Sequence, residues 1–155
     1  MKIALITDTH FGARNDNLNF NDYFYKFYEG VFFPYLLEND IKHCIHLGDV
    51  LDRRKFVSYR IAKDFRERFI LPFEQLDIQL HALVGNHDIY YKNTNDVNSL
   101  RELLDSRYKN IHTYAEATEV TFDGLKILLM PWINSQNTIY SVSYTHLTLP
   151  TMVQV

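Results

Sequence analysis

Ile3 to Ile6 form an apolar run without polar alternation, the pattern of a strand covered on both faces, and the run ends at Thr7-Asp8-Thr9-His10. From Asp22 to about Asn39, Phe24, Phe27, Tyr28, Val31 and Tyr35 recur at mainly three- and four-residue intervals. That spacing predicts a helix kinked at Pro34. Ile41 to Leu47 reads as a second strand, closed by Gly48-Asp49. Ser58 can cap a second helix in which Ile61, Phe65, Phe69 and Phe73 are spaced by four, with Pro72 near its end. Ile78 to Val84 is the third strand, closed by Gly85-Asn86-His87-Asp88. A third helix is expected from Asp96, burying Leu100, Leu103 and Leu104. After it, Val120 to Phe122 and Leu125 to Met130 flank Asp123-Gly124, a two-residue type I′ hairpin signal.

Strand, helix, strand, helix, strand is the βαβαβ pattern of an α/β fold, with parallel strands, right-handed crossovers and helices on the sheet faces. The hairpin predicts a sheet that turns mixed toward its far edge. Ligands in such sheets bind beyond the carboxyl ends of the strands, so the polar stretches that close the three strands are the place to look for chemistry.

With 155 residues, 46% hydrophobic and 23% charged, the chain has the makeup of one folded core or a piece of a larger one, and a disordered chain is excluded. Sixteen Lys and Arg against nineteen Asp and Glu leave a net charge of −3, so any contact with nucleic acid must be local. The lone cysteine, Cys44, closes no intrachain disulfide, and the expected compartment is a reducing cytoplasm. No stretch approaches the length of a membrane helix, so no membrane partner is expected. Residues 1–133 read as one folded unit. Residues 134–155 form a tail without a helical stripe, and from Ser135 onward it carries no charged residue.

Three strand ends deliver Asp8 and His10, then Asp49, then Asn86, His87 and Asp88 to one rim of one sheet. In an extended segment Asp8 and His10 point the same way and can reach one cation. Oxygen ligands from Asp8, Asp49 and Asn86 mixed with an imidazole suit a first-row divalent ion better than calcium or a thiolate site. Asp49, on the central strand end, could bridge two ions roughly 3.5 to 4 Å apart, a pair suited to phosphoester hydrolysis. His43, His46 and His81 lie inside strands and His112 on an edge strand, where hydrogen-bonded structural roles are expected.

Asp8-Thr9-His10, Gly48-Asp49-Val50-Leu51-Asp52 and Gly85-Asn86-His87-Asp88, in that order, resemble the calcineurin-like metallophosphoesterase superfamily. Met1-Lys2-Ile3, Phe11-Gly12, the loop Asp88 to Asn93 and Met130-Pro131-Trp132 are most similar to its SbcD-type DNA-repair nucleases, including those of bacteriophages. The resemblance runs to about residue 133. It implies two divalent ions, manganese by preference, and exonuclease or endonuclease action on DNA in recombination and double-strand-break repair. It also implies an SMC-like ATPase subunit as partner, a homodimer of the full-length protein, and the host cytoplasm as location where the gene is a phage's. Carried over by position, Asp8 and His10 hold the first ion, Asp49 bridges and Asn86 holds the second. His87 assists the departing sugar oxygen, with Asp88 orienting its ring. Arg53, Tyr90, Tyr91 and Lys92 are candidate phosphate or DNA contacts, the tyrosines by stacking on bases.

The family completes its metal site with histidines in Gly-His and Gly-His-x-His motifs, which this sequence lacks; His146 stands in neither. Residues 141–151 look similar to translated adapter sequence, so the expectation is a truncated reading frame with a non-native tail and impaired activity. Two other readings remain open: a metallophosphatase acting on a phosphoprotein or small phosphoester, with Arg53 gripping phosphate, and an inactive scaffold that keeps only the fold.

Overall fold

The computed structural model describes residues 1–138 and the backbone of 152–154. Its frame is a parallel sheet in the order β1-β2-β3-β4, formed by β1 (Ile3–Ile6), β2 (His43–His46), β3 (Gln79–Leu83) and β4 (Ile111–Tyr114). The chain returns from β1 to β2 through α1 (Leu18–Phe27) and α2 (Phe33–Glu38), and from β2 to β3 through α3 (Tyr59–Phe65) and α4 (Leu71–Gln75). The β3-to-β4 crossover carries α5 (Ser99–Leu104). The α/β pattern expected from the sequence is present, with each predicted strand within two residues of its observed ends.

Period-two alternation assigns the two faces of the sheet. Cys44, Leu80 and Ala82 point into the helix layer, while Ile45 and Leu83 point the other way. What covers the second face is a small sheet of its own, β5 (Thr118–Phe122), β6 (Leu125–Met130) and β7 (Met152–Gln154). The mixed pairing expected at the edge of the first sheet lies here instead: β5 and β6 are antiparallel, β6 and β7 parallel. Asp123 (φ 47°) and Gly124 (φ 84°) make the predicted hairpin turn. Phe122, Ile127 and Leu129 from this layer pack on Ile45 and Leu83. The cover does not extend over all of the edge strand β1, so Leu5 is exposed, unlike the two-sided burial its apolar run suggested.

The first helical segment starts earlier than its apolar spacing indicated, because the Asn17 side chain caps α1 by accepting from the Phe20 N–H. A π turn, Tyr28–Phe32, joins α1 to α2 immediately before Pro34, and a second, Arg66–Ile70, joins α3 to α4 before Pro72. Proline has no N–H to give the turn behind it, and a widened turn accommodates that loss without breaking the helix. The widening also rotates the apolar stripe. Tyr25, Tyr28, Phe32, Phe33 and Leu36 are buried, whereas Phe27, Val31 and Tyr35, expected inside, are exposed. The stripe of the second segment, Ile61, Phe65, Phe69 and Phe73, is buried as predicted.

Phe11 links this core to the chemistry. Its ring contacts Tyr25, Phe65 and Phe69 at centroid distances of 5.4, 5.0 and 4.9 Å. Burying such a ring contributes roughly 1.5 to 3 kcal/mol, and it anchors the residue directly after His10. No helix among the described residues is long and apolar enough to cross a membrane. Asn134 is buried and donates to Asn95 Oδ1 at 2.9 Å, which fastens the chain after Ile133 to the same body. The rest of the predicted tail, residues 139–151 with His146 and residue 155, lies outside the described residues.

Candidate metal centre

Three turns leave the carboxyl ends of β1, β2 and β3 side by side. The first two are laced together by backbone bonds from Asp8 N to Gly48 O and His10 N to Asp49 O, both 3.1 Å, and from Phe11 N to Val50 O, 2.9 Å. Asp8 and His10 were expected to converge by extended alternation, but both lie in the left-handed region, at φ 53° and 43°, and Asp49 joins them at 54°. Side-chain convergence therefore comes from tight turns. Each such residue costs roughly 1 to 3 kcal/mol, a cost met by the lacing and the aromatic anchor below.

One ligand atom from each of Asp8, His10 and Asp49 lies within 4.8 Å of the others. His10 Nε2 stands 3.5 Å from Asp8 Oδ1 and 3.9 Å from Asp49 Oδ2. The Asn86 side-chain amide donates its N–H to the two Asp49 carboxylate oxygens at 2.9 and 2.7 Å. A half-turn of that amide would offer its oxygen to a cation there instead. Gly85 makes the approach possible, since a Cβ there would collide with the Asp49 backbone nitrogen and Oδ1. This donor set of carboxylate, amide and imidazole fits a hard or borderline divalent ion, and Asp49, with oxygens facing both His10 and Asn86, is the residue shared by the two halves.

His87 and Asp88 follow on the third turn and do different work. The His87 N–H donates to Asp49 Oδ1 at 2.8 Å, and its ring lies edge-on to His10 at 4.9 Å. His87 Nδ1 is 2.7 Å from the Asp52 carbonyl oxygen, which can only accept, so Nδ1 carries the hydrogen and Nε2 is left to exchange a proton. The carbonyl, not Asp88, orients this ring, which corrects the role read from the sequence. Asp88 is fully buried and accepts from Gly85 N at 2.9 Å, Val50 N at 3.2 Å and Leu51 N at 3.1 Å, with Ser99 Oγ at 3.5 Å. Burial pushes its pKa up to about 6 against the lowering effect of those N–H groups, and the nearby Asp49 adds to the rise. Asp88 thus pins the second and third turns together.

One support, Thr9, was not singled out in the sequence. Thr9, between the first two ligands, places its hydroxyl 3.0 Å from His46 Nε2 and donates to the Val50 carbonyl at 3.1 Å. Gly48 N donates to His46 Nδ1 at 3.2 Å, so Nε2 bears the hydrogen and donates to Thr9. His46 is completely buried, and desolvation lowers its pKa to about 3, keeping it neutral as the expected structural histidine. A small hydroxyl residue between two ligand types was the available signal for Thr9. His81 and His112 likewise find partners in Tyr114 and Gln79, each at 2.8 Å.

Of the expected phosphate or DNA contacts, Arg53 is already engaged. Its guanidinium bonds Asn15 Oδ1 at 2.6 Å, approaches Asp16 at 3.6 Å and stacks on Phe56 at 4.8 Å. Those partners sit on a turn with left-handed backbone at Arg14, Asn15 and Asp16. Tyr90, Tyr91 and Lys92 are exposed on the loop beyond Asp88, the two rings edge-on at 4.7 Å.

Residues 1–148 match the calcineurin-like phosphoesterase family. The chain is also 32% identical over 145 residues to exonuclease subunit 1 of Enterobacteria phage T4, an alignment covering 89% of this chain and 40% of that relative. The chain thus spans well under half the length of the curated relative it matches.

Proposed function

Since the chain belongs to the calcineurin-like phosphoesterase family, we propose that it carries the metal-binding half of a DNA nuclease that hydrolyses phosphodiester bonds with two divalent ions, manganese by preference. One observation carries the reading: Asp8, His10 and Asp49 present ligand atoms within 4.8 Å, with the Asn86 side-chain amide hydrogen-bonded to the same Asp49 carboxylate. Asp8 and His10 would hold one ion, Asn86 the other, and Asp49 both. When bound, the ions supply a polarised phosphoryl group and a water acidic enough to attack near neutral pH.

The protein's own groups do the remainder. Backbone lacing fixes Asp49 relative to Asp8 and His10, so the carboxylates are preorganised rather than gathered by the ligand. His87, held through Nδ1, presents Nε2 to the departing sugar oxygen, and a proton carried there would pass to that oxygen as the P–O bond breaks. A nuclease is favoured over a phosphatase because Arg53, the phosphate-gripping residue of that alternative, is tied to Asn15 and Asp16.

The relative's name, exonuclease subunit 1, supports exonucleolytic action in a multi-subunit assembly. A role in recombination and break repair, in the cytoplasm, with an SMC-like ATPase and a homodimer of the whole protein, is part of the same reading. Among the described residues the His and Asp cluster is Asp8, His10 and Asp49, so the first ion would draw on all three and the second on Asn86 and the shared Asp49. The test is hydrolysis of bis(p-nitrophenyl) phosphate with manganese by the unmodified protein and by Asp49→Asn. Turnover that disappears in the variant is expected; turnover unaffected by it would overturn the reading.

A further inference from the structure

Beside the metal centre lies an apolar-floored groove of about 170 Å³, bounded by the loop Arg53–Val57, Tyr90 and α5. It is tied to the same turns that hold the metal ligands. The Leu51 N–H on its floor donates to Asp88, the carbonyl of Asp52 holds His87, and Ser99 of α5 donates its N–H to the Asp88 carbonyl at 2.8 Å. A group seated in the groove is therefore held in fixed register with a phosphate at Asp49.

Its chemistry is that of a nucleotide unit. Phe56 and Tyr90 are exposed rings, 62% and 38% accessible, and each already lies under a cation: Arg53 over Phe56 at 4.8 Å and Lys55 over Tyr90 at 5.5 Å. With Arg53 held by Asn15 and Asp16, the exposed rings and Lys55 beside Tyr90 supply the stacking surface and positive charge that a strand of bases and phosphates requires. Arg54 adds a buried guanidinium nitrogen, Nη1, without a hydrogen-bond partner. An unsatisfied buried donor is costly, and a phosphate oxygen is the acceptor that suits it. The volume is below that of a typical small-molecule site, which suits one flat ring system of a polymer. Glu102, on α5, disfavours phosphate at that wall and leaves Leu103 and Leu51 to the base.

We infer that this groove is a base slot for single-stranded DNA: one unpaired base lies against Phe56 and Tyr90 while Arg54 takes an adjacent phosphate. A base within a duplex is stacked on both faces and cannot enter, so the slot selects frayed ends and single strands. The inference deepens the nuclease reading by assigning strandedness to residues outside the metal centre, and it rests on that reading for the position of the scissile phosphate.

Binding without metal separates the two. A single-stranded oligonucleotide containing 2-aminopurine is titrated with the full chain in EDTA. Unmodified protein should quench the fluorophore, and Phe56→Ala or Tyr90→Ala should each weaken binding by roughly 5- to 100-fold. Phe56→Trp should restore it. Arg54→Ala should reduce the salt dependence by about one counterion's worth. Tyr59→Ala, equally aromatic, 96% exposed and outside the groove, should bind as the unmodified protein does. Equal affinity in Phe56→Ala, Tyr90→Ala and unmodified protein, or competition by blunt duplex as strong as by single strand, would overturn the inference. Bis(p-nitrophenyl) phosphate hydrolysis by the unmodified protein, run alongside, reports on the metal centre alone; its absence with intact quenching removes the phosphoesterase reading and leaves the slot standing.

Discussion

Replacing Asp88 by alanine distinguishes a turn-pinning carboxylate from a catalytic one. Three backbone N–H groups, of Gly85, Val50 and Leu51, lose their acceptor in a site without solvent access. Each unsatisfied donor costs roughly 1 to 3 kcal/mol, so the loss is about 6 kcal/mol at the middle of that range. Against it, the carboxyl is pushed from 3.8 up to about 6 by burial, so removing its charge at neutral pH returns about 3 kcal/mol. The expected net destabilisation is about 3 kcal/mol. Asp88→Asn, which keeps one acceptor oxygen but turns an NH₂ toward backbone donors, should lose about half as much. Urea unfolding followed by Trp132 fluorescence measures both, and manganese affinity should fall in parallel because Asp49 and Asn86 lose their common tether. Unchanged stability and metal affinity with a slowed chemical step would refute this account and restore Asp88 as the orienter of His87.

His87→Ala should slow the chemical step about 10²- to 10⁴-fold while leaving manganese affinity nearly intact; rapid-quench kinetics beside a metal titration separates this from a ligand role, in which both would fall. Gly85→Ala should lower metal affinity and cost about 1 to 3 kcal/mol in urea unfolding, because its Cβ must displace Asp49; full affinity would contradict the close approach. For His81, desolvation with His112 and His43 nearby lowers the folded pKa from 6.5 to about 4. Between those values the unfolded chain binds a proton that the folded chain excludes, so stability falls as the pH drops through that window. His81→Phe should remove up to about 3 kcal/mol of that acid dependence between pH 7 and 4.5, and an unchanged pH profile would count against it.

The strand ends were legible because each apolar run stops abruptly at polar residues that a parallel sheet can send only to one rim; Asp8, His10, Asp49, Asn86 and His87 meet there. What brings Asp8 and His10 together was not legible, since a left-handed backbone at both depends on the neighbouring Asp49 turn. The same holds for Asp88, whose three partners lie on two separate loops and leave no local pattern. Spacing located the first helix and placed Phe24 and Tyr28 rightly against the core, but it also counted Phe27, Val31 and Tyr35 as inside, and from the π turn ahead of Pro34 onward the register departs from that of an ideal helix. In the second segment Ile61, Phe65, Phe69 and Phe73 sit four apart on both sides of such a turn, and their burial was foreseen. The hairpin turn was read from Asp123-Gly124, yet which sheet it joins is decided by Phe122 and Ile127 meeting Ile45 and Leu83 across the fold, a contact no local window contains.

Anomalous diffraction at the manganese edge from crystals grown with saturating manganese would locate the ions. Two peaks are expected about 3.5 to 4 Å apart, one beside Asp8 and His10, one beside Asn86, with Asp49 touching both and the first the better occupied. Manganese bound elsewhere, or a well-occupied pair in which Asp49 takes no part, would contradict that placement.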